Sequence, residues 1–131
     1  MIVLDASAAI ELLLNTPLAP RIARRVFRAG EPPHAPHLID VEVAQVSRRF
    51  ARLGEIGAQR ARQALDDLVD LPLIRYPHSM LLPAIWALRK NATAYDAAYL
   101  ALAEALGATL ITCDAALGTI PDYGARVEVI R

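Results

Sequence analysis

Tyr95-Asp-Ala-Ala-Tyr-Leu-Ala-Leu-Ala-Glu-Ala-Leu-Gly107-Ala-Thr-Leu-Ile-Thr112-Cys-Asp114 is the stretch that decides the fold. Residues 95–106 are apolar almost all the way round a helical projection, and a helix with so little polar face must be largely buried. Gly107 is a natural stop, and Thr109-Leu-Ile-Thr112 follows as a short strand. A buried helix feeding a strand within a few residues is the repeating unit of an α/β domain. Working back to the start of the chain, Ile2-Val-Leu4 is a continuous apolar run ended by Asp5, which suits a strand buried on both faces of a parallel sheet.

Between these two strands the apolar spacing alternates between helix and short strand. Residues 6–14 and 18–29 read as two helices separated by Asn15-Thr16-Pro17. Glu31-Pro-Pro-His-Ala-Pro36 is a connector with room for only a very short strand. Ile39, Val43, Val46, Phe50 and Leu53 recur at helical spacing over 38–53, and residues 58–71 repeat the device, so a helical hairpin is expected. Residues 73–75 are a second strand candidate, 79–90 a helix with Pro83 early in it, and 126–130 an alternating edge strand. The expected architecture is α/β: a short-stranded, mainly parallel central sheet flanked by helices on both faces.

With 131 residues and 14.2 kDa, the length predicts a single domain spanning 1–131. A hydrophobic content of 55%, a mean hydropathy of +0.31 and 21% charged residues exclude disorder. No apolar run approaches the roughly 18 to 20 residues that span a bilayer, and the first residues lack the basic and long apolar regions of a leader. A cytoplasmic protein with no membrane partner is expected. One cysteine, Cys113, rules out an internal disulfide and a cysteine-based zinc cluster, and reads as a small buried apolar residue.

Acidic and basic residues balance at 14 each, yet residues 21–62 carry nine arginines against four acids. There is no Gly-x-Gly-x-x-Gly, no Gly-Lys-Ser/Thr and no Gly-x-Ser-x-Gly, which removes dinucleotide, P-loop and serine-hydrolase readings. His34, His37 and His78 sit in Pro-flanked segments without a helical pair and read as exposed loop residues. Trp86 and Tyr99 are expected in the core.

Four acids occupy positions of a different kind. Asp5 and Asp114 follow strands, and the carboxyl ends of parallel strands are where open sheets form their sites. Glu42 and Asp96 lie in the opening turns of helices, whose N-termini favour negative charge. Gathered in one cleft, four carboxylates repel, and a hard divalent cation such as Mg²⁺ or Mn²⁺ relieves that repulsion. Each acid also has a plainer reading. Asp5 or Ser7 can cap the first helix, Asp114 a turn over 115–117, Thr93 and Asp96 can form a capping box, and Glu42 can be a solvated helix residue. These alternatives stay open at the level of residues.

The segment from Thr93 to Leu117 resembles the C-terminal signature of PIN-domain ribonucleases, in particular VapC-type toxins of toxin–antitoxin pairs, and Ile2-Val-Leu-Asp5-Ala-Ser7-Ala resembles the start of the same family. Glu42 falls where that family carries its characteristic glutamate. The resemblance implies a PIN-like three-layer fold and an acidic quartet of Asp5, Glu42, Asp96 and Asp114 that binds metal and carries catalysis. Ser7 and Thr112 become supporting hydroxyls. After Leu117 the chain departs from the commonest pattern, which leaves Asp122 as a candidate extra acid, with a loop role favoured. The activity implied is Mg²⁺-dependent hydrolysis of RNA phosphodiester bonds, with Mn²⁺ as a substitute. The metal would polarise the phosphoryl oxygen, acidify a bound water and stabilise the leaving oxygen.

A raised carboxyl pKa within the metal-free cluster is then expected. Arg21, Arg25, Arg48, Arg49, Arg52 and Arg89 are candidates for phosphate contacts. A VapB-type antitoxin that places a basic side chain among the acids, and a homodimer, are the implied partners. Two other classes compete: a catalytically silent PIN-like module that binds RNA or protein, and a phosphoryl-transfer domain with Asp5 or Asp114 as nucleophile. The second needs a well-placed lysine, and Lys90 is the only one in the chain.

Overall fold

Five short strands, Ile2–Leu4 (β1), His34–Pro36 (β2), Ile74–Tyr76 (β3), Thr109–Thr112 (β4) and Arg126–Val129 (β5), form a sheet of order β3-β2-β1-β4-β5. The structure, a computed structural model, describes residues 1–120 and 124–131. All four strand pairings are parallel. The helices are Ala6–Leu13 (α1), Ala19–Val26 (α2), Leu38–Arg52 (α3), Ala58–Asp70 (α4), Leu82–Ala87 (α5) and Ala94–Leu106 (α6).

The chain moves outward from β1 to β2 to β3, then returns through α5 and α6 to place β4 on the other flank of β1. Parallel crossovers are right-handed, so this reversal assigns α1–α4 to one face of the sheet and α5 and α6 to the other. The packing agrees: α1 touches α2, α3 and α4, while α6 touches α5 and strands β1, β2 and β4. The domain is therefore a three-layer α/β fold. The reversal also opens a crevice at the carboxyl ends of β1 and β4, the place where such sheets build sites.

The core follows from the buried strands and the near-continuous burial of α6. Val3, Leu4, Leu110 and Ile111 are fully enclosed, as are Leu100 and Ala103 of α6. Gly107 caps α6 in the left-handed conformation at φ 62°, which a side chain would strain.

Several expectations need correction. Residues 79–90 are not one helix but a 3₁₀ turn at Ser79–Leu81 followed by the six-residue α5, because Pro83 supplies no N–H to a preceding turn. The helix expected over 18–29 ends at Val26. The connector at 31–36 does hold the very short strand expected there, β2, which lies inside the sheet and meets β1 at a single register pair, Val3 with His34. Its prolines account for that thin pairing, since each removes a ladder donor. His34 is buried rather than exposed, with Nδ1 2.7 Å from the Tyr76 hydroxyl. Trp86 is 68% exposed. On so short a helix Leu81, Ile85 and Leu88 take the inner side, and Leu82 and Trp86 are left outside. Cys113 is only partly buried, and that burial pushes its thiol up to about 11. Asp122 and Tyr123 lie outside the described residues.

Candidate functional site

Asp5 ends β1 at the crevice and is 5% exposed. Its Oδ2 accepts hydrogen bonds from Ser7 Oγ at 2.6 Å and from Thr112 Oγ1 at 2.7 Å. Each hydroxyl has one proton, so both are spent on Asp5, and the 3.1 Å approach of Ser7 Oγ to Thr112 Oγ1 is a contact without a shared proton. The same two oxygens accept in turn. Cys113 N donates to Ser7 Oγ and Asp114 N donates to Thr112 Oγ1, each at 2.9 Å. The start of α1 and the end of β4 are thereby tied to one carboxylate oxygen. Among the described residues no side chain donates to Oδ1 of Asp5, and the backbone N–H groups of Ala6 and Ser7 add to the hydrogen bonds that pull the carboxyl's pKa down.

Glu42 sits in the second turn of α3, half-buried, and its Oε1 accepts a 2.6 Å hydrogen bond from the Tyr99 hydroxyl. Tyr99 is fully buried on α6, one turn after Asp96, so positions 96 and 99 share a face and one helix serves two acids. Sequence reasoning placed Tyr99 in the core and missed its polar end. The i, i+3 spacing from Asp96 was the available signal. Asp40, two residues before Glu42 and on the opposite side of α3, is bound by Arg75 Nε at 2.9 and 3.0 Å and takes no part.

Asp96 opens α6, where its N–H donates to Thr93 Oγ1 at 3.2 Å. Its carboxylate is half-buried. Asp114 is exposed, and its Oδ1 accepts from Ala116 N at 2.9 Å, capping the 3₁₀ turn Ala115–Thr119. The capping readings of Thr93 and Asp114 are therefore real. They leave one oxygen of Asp114 uncapped, while the Asp96 carboxylate lies beside the Thr93 hydroxyl, whose hydrogen bond opposes the other causes that raise it.

Electrostatically the acids form one group. Burial raises the Asp5 carboxyl above its ordinary value, against the lowering pull of Ser7 and Thr112. Burial also raises Glu42, with the Tyr99 hydrogen bond opposing and the charges of Asp5 and Asp96 adding to it. For Asp96 the causes are burial, then Asp5 and Asp114. Among the described residues, the ion pairs are Arg25–Glu128, Arg62–Asp66 and Arg75–Asp40, none of which involves these acids.

Buried carboxylates without a cation are costly, and the donor set is all oxygen, which suits Mg²⁺ or Mn²⁺. Among the described residues no three Asp, Glu, His or Cys side chains close into a ready cage. Mg²⁺ does not need one, since it commonly binds through one or two carboxylates and keeps several waters. The residues fit such an ion.

The arginines are arranged otherwise. Arg21, Arg24, Arg25 and Arg28 line one concavity, and Arg48, Arg49 and Arg52 line another with Gln45 and Leu53; neither contains any of the four acids. Arg25 is held by Glu128 at 2.8 Å, and Arg21 donates to the Arg131 carbonyl. Lys90 is exposed in the turn between α5 and α6. Residues that sequence alone grouped as substrate contacts are thus spread over several surfaces.

The family profile described as PIN domain matches residues 2–122. The chain belongs to the PIN domain family. This PIN domain is 45% identical, over 99% of its length and 98% of the relative's, to a VapC ribonuclease of Mycobacterium bovis. It is 40% identical, over 99% of both chains, to ribonuclease VapC12 of Mycobacterium tuberculosis. Among solved structures, VapBC2 from Rickettsia felis, bound to a DNA fragment from its promoter, covers all of this PIN domain with a TM-score of 0.72 at 14% identity, a likeness of fold alone.

Tyr99→Phe provides a local test of the site, because it removes the hydroxyl that holds Glu42 and keeps the ring in the core. Loss of a supporting partner of this kind is expected to lower metal affinity or turnover by about 10- to 100-fold. Thermal stability would change little by comparison, and a circular dichroism melt beside a metal titration checks both.

Proposed function

We propose that this PIN domain is a VapC-type toxin, an endoribonuclease that hydrolyses RNA phosphodiester bonds with a divalent cation, Mg²⁺ or Mn²⁺, held by Asp5, Glu42, Asp96 and Asp114. The observation that carries the metal assignment is the grouping of Asp5, Glu42 and Asp96, buried or half-buried and with raised pKa values, with no cationic side chain among the described residues paired to them. The ribonuclease assignment is supported by relatives at 40–45% identity that are named VapC ribonucleases.

When bound, the cation supplies the positive charge that acidifies a water and stabilises charge developing on the phosphoryl group. Asp5, locked by two hydroxyls, offers Oδ1 from a rigid base. Tyr99 fixes Glu42 in one rotamer, so its free oxygen points in a defined direction. Asp96 and the uncapped oxygen of Asp114 approach from the solvent side, where a phosphate must enter. A pre-set constellation of this kind keeps reorganisation small during the reaction.

The Rickettsia structure is a VapBC assembly, and by kinship this chain is expected to have its own VapB-type antitoxin, whose basic side chain would occupy the acid cluster, and to form a homodimer. No helix among the described residues is long and apolar enough to cross a membrane.

The purified chain is expected to cut total cellular RNA in Mg²⁺ or Mn²⁺ and not in excess EDTA, and to lose that activity when coexpressed with its antitoxin. Undiminished cleavage in EDTA would remove the metal from the proposal. No cleavage together with no metal binding would favour the silent binding module.

A further inference from the structure

We infer that His78 is a positioning residue for Glu42: its imidazole anchors the first turn of α3, so the acid which that turn delivers to the site is firmly held only while the ring is neutral. This rests on the metal reading of the acid cluster and adds to it a residue and a dependence on pH.

The start of α3 has no cap of its own. His37, the residue before the helix, makes no side-chain cap bond, and the first N–H groups of any helix lack acceptors within it. β3 and the residues after it supply the partners. The His37 N–H donates to the Tyr76 carbonyl at 2.8 Å, the Leu38 N–H donates to Nε2 of His78 at 2.9 Å, and Arg75 holds Asp40. Sequence alone read His78 as an exposed loop residue, but it is half-buried against this turn.

The tie from His78 leads directly to Glu42. Leu38 and Glu42 stand four residues apart in α3, so the Leu38 carbonyl accepts the Glu42 N–H in the helical ladder. Glu42 is therefore held at both ends, its backbone through Leu38 to His78 and its carboxylate by the Tyr99 hydroxyl. The two anchors come from opposite faces of the molecule and fix the glutamate between them.

Of the ties to the first turn of α3, this is the one that a proton can undo near neutral pH. With the Leu38 N–H facing it, Nε2 must carry the lone pair, and the single proton of the neutral ring sits on Nδ1. A second proton makes both ring nitrogens donors, sets N–H against N–H, and places positive charge at a helix N-terminus, which favours anions. Imidazole is the side chain that gains such a proton between about pH 5 and 8. The ionisable groups on the elements around it are His37, whose ring lies edge-on with centroids 6.1 Å apart, the Asp40–Arg75 pair, and Tyr76 with His34. On α6, which packs on the 3₁₀ turn after His78, they are Tyr95 and Asp96. Residues 79–87 carry none.

Two replacements separate an acceptor from a space-filler. His78→Gln keeps an acceptor at similar reach that takes no proton, and His78→Leu keeps bulk and removes the acceptor. The metal-free, ¹⁵N-labelled chain would be followed by NMR between about pH 5 and 8, and Mn²⁺ affinity measured by calorimetry over the same range. At the alkaline end the wild-type ring is expected as the Nδ1–H tautomer. His78→Leu should exchange the Leu38 amide about tenfold faster and bind Mn²⁺ about tenfold more weakly, at the low end for partners that support a metal ligand. His78→Gln should match wild type at the alkaline end. Towards acid, wild-type affinity should fall about tenfold further than that of His78→Gln, since the acids titrate alike in both and only wild type loses the anchor.

A proton on Nε2 at the alkaline end, wild-type Mn²⁺ affinity in His78→Leu, equal losses in the two variants, or a ratio of wild type to His78→Gln that ignores pH would overturn the inference. If His78→Leu does not fold, the tautomer and the comparison with His78→Gln decide without it. Wild type that binds no Mn²⁺ removes the metal reading instead, and the tautomer and the Leu38 exchange, both read without metal, then show separately whether the anchor exists.

Discussion

Asp5→Asn yields a protein that cuts RNA on the order of a thousandfold more slowly than wild type, and that melts at a higher temperature in metal-free buffer at neutral pH. The first arm follows from loss of the innermost oxygen that the proposed metal would use, where a contribution of several kcal/mol to the transition state corresponds to about three powers of ten. The second follows from burial. Asp5 is 5% exposed, and its carboxyl is raised by that burial in spite of the two hydroxyls that bond it.

A carboxyl whose folded pKa lies above its unfolded one binds its proton more tightly in the folded state. Its contribution to stability is therefore fully present below the unfolded value, about 4 for a carboxylate, and is lost as pH rises through the folded value. Glu42 and Asp96 are raised as well, so the metal-free protein is expected to melt progressively lower as pH climbs from that point towards neutral. Asn at position 5 keeps an oxygen for Ser7 and Thr112 and carries no charge. Its advantage over wild type should shrink as the pH is lowered and Asp5 takes up its proton. Melting curves of both proteins across pH, in EDTA, decide the matter. A mutant no more stable than wild type at neutral pH, or one that cleaves RNA within tenfold of wild type, sinks the assignment of Asp5.

How much of this was legible in the sequence depends on what kind of information each feature uses. Helix α6 and strands β1 and β4 could be read because burial on all sides imposes a continuous apolar pattern and because Gly107 marks a stop. The positions of Asp5 and Asp114 at strand ends followed from the same pattern. What sequence could not supply was the pairing of partners from separate elements. The Tyr99 hydroxyl and Glu42 are 57 positions apart, and Thr112 and Asp5 are 107 apart. Which half of a side chain is polar and which is packed depends on that closure.

The misread parts are those where local rules were overridden or too weak. The very short strand expected at 31–36 is there, and what sequence did not show is its place inside the sheet, where β3 pairs with it at three positions beside its thin contact with β1. Trp86 was expected inside because large aromatics usually are, but the six-residue α5, with Pro83 in its first turn, has one narrow inner side, taken by Ile85 and, just past its end, Leu88. The arginines illustrate a further limit: their excess over residues 21–62 is visible in the sequence, while only the fold reveals that Arg25 answers Glu128 and that Arg48, Arg49 and Arg52 line a concavity that holds none of the four acids.

Mn²⁺ should stabilise the wild-type protein strongly and leave Asp96→Asn almost unmoved. A ligand that binds only the folded state adds RT ln(1 + [L]/Kd), roughly 2.7 kcal/mol at a hundredfold excess over Kd. For a domain of this size that is on the order of 5 to 10 °C in Tm. The effect should be larger at neutral pH than in acid, because binding releases whatever protons the raised carboxyls of Asp5, Glu42 and Asp96 still hold. Asp96 is the informative position for the mutant. It lies half-buried at the mouth of the crevice, its N–H bond to Thr93 survives replacement of the carboxylate, and α6 keeps its cap, so a lost response to metal would not reflect a lost helix. A parallel titration with Ca²⁺, a larger ion that prefers more oxygen ligands, separates a specific site from general screening of negative charge. Equal shifts with Mn²⁺ in wild type and mutant would mean that the acids act only as a diffuse negative patch, and the metal would have to be removed from the mechanism. A large wild-type shift that Asp96→Asn abolishes would place the ion at the carboxyl ends of β1 and β4, before any RNA target is known.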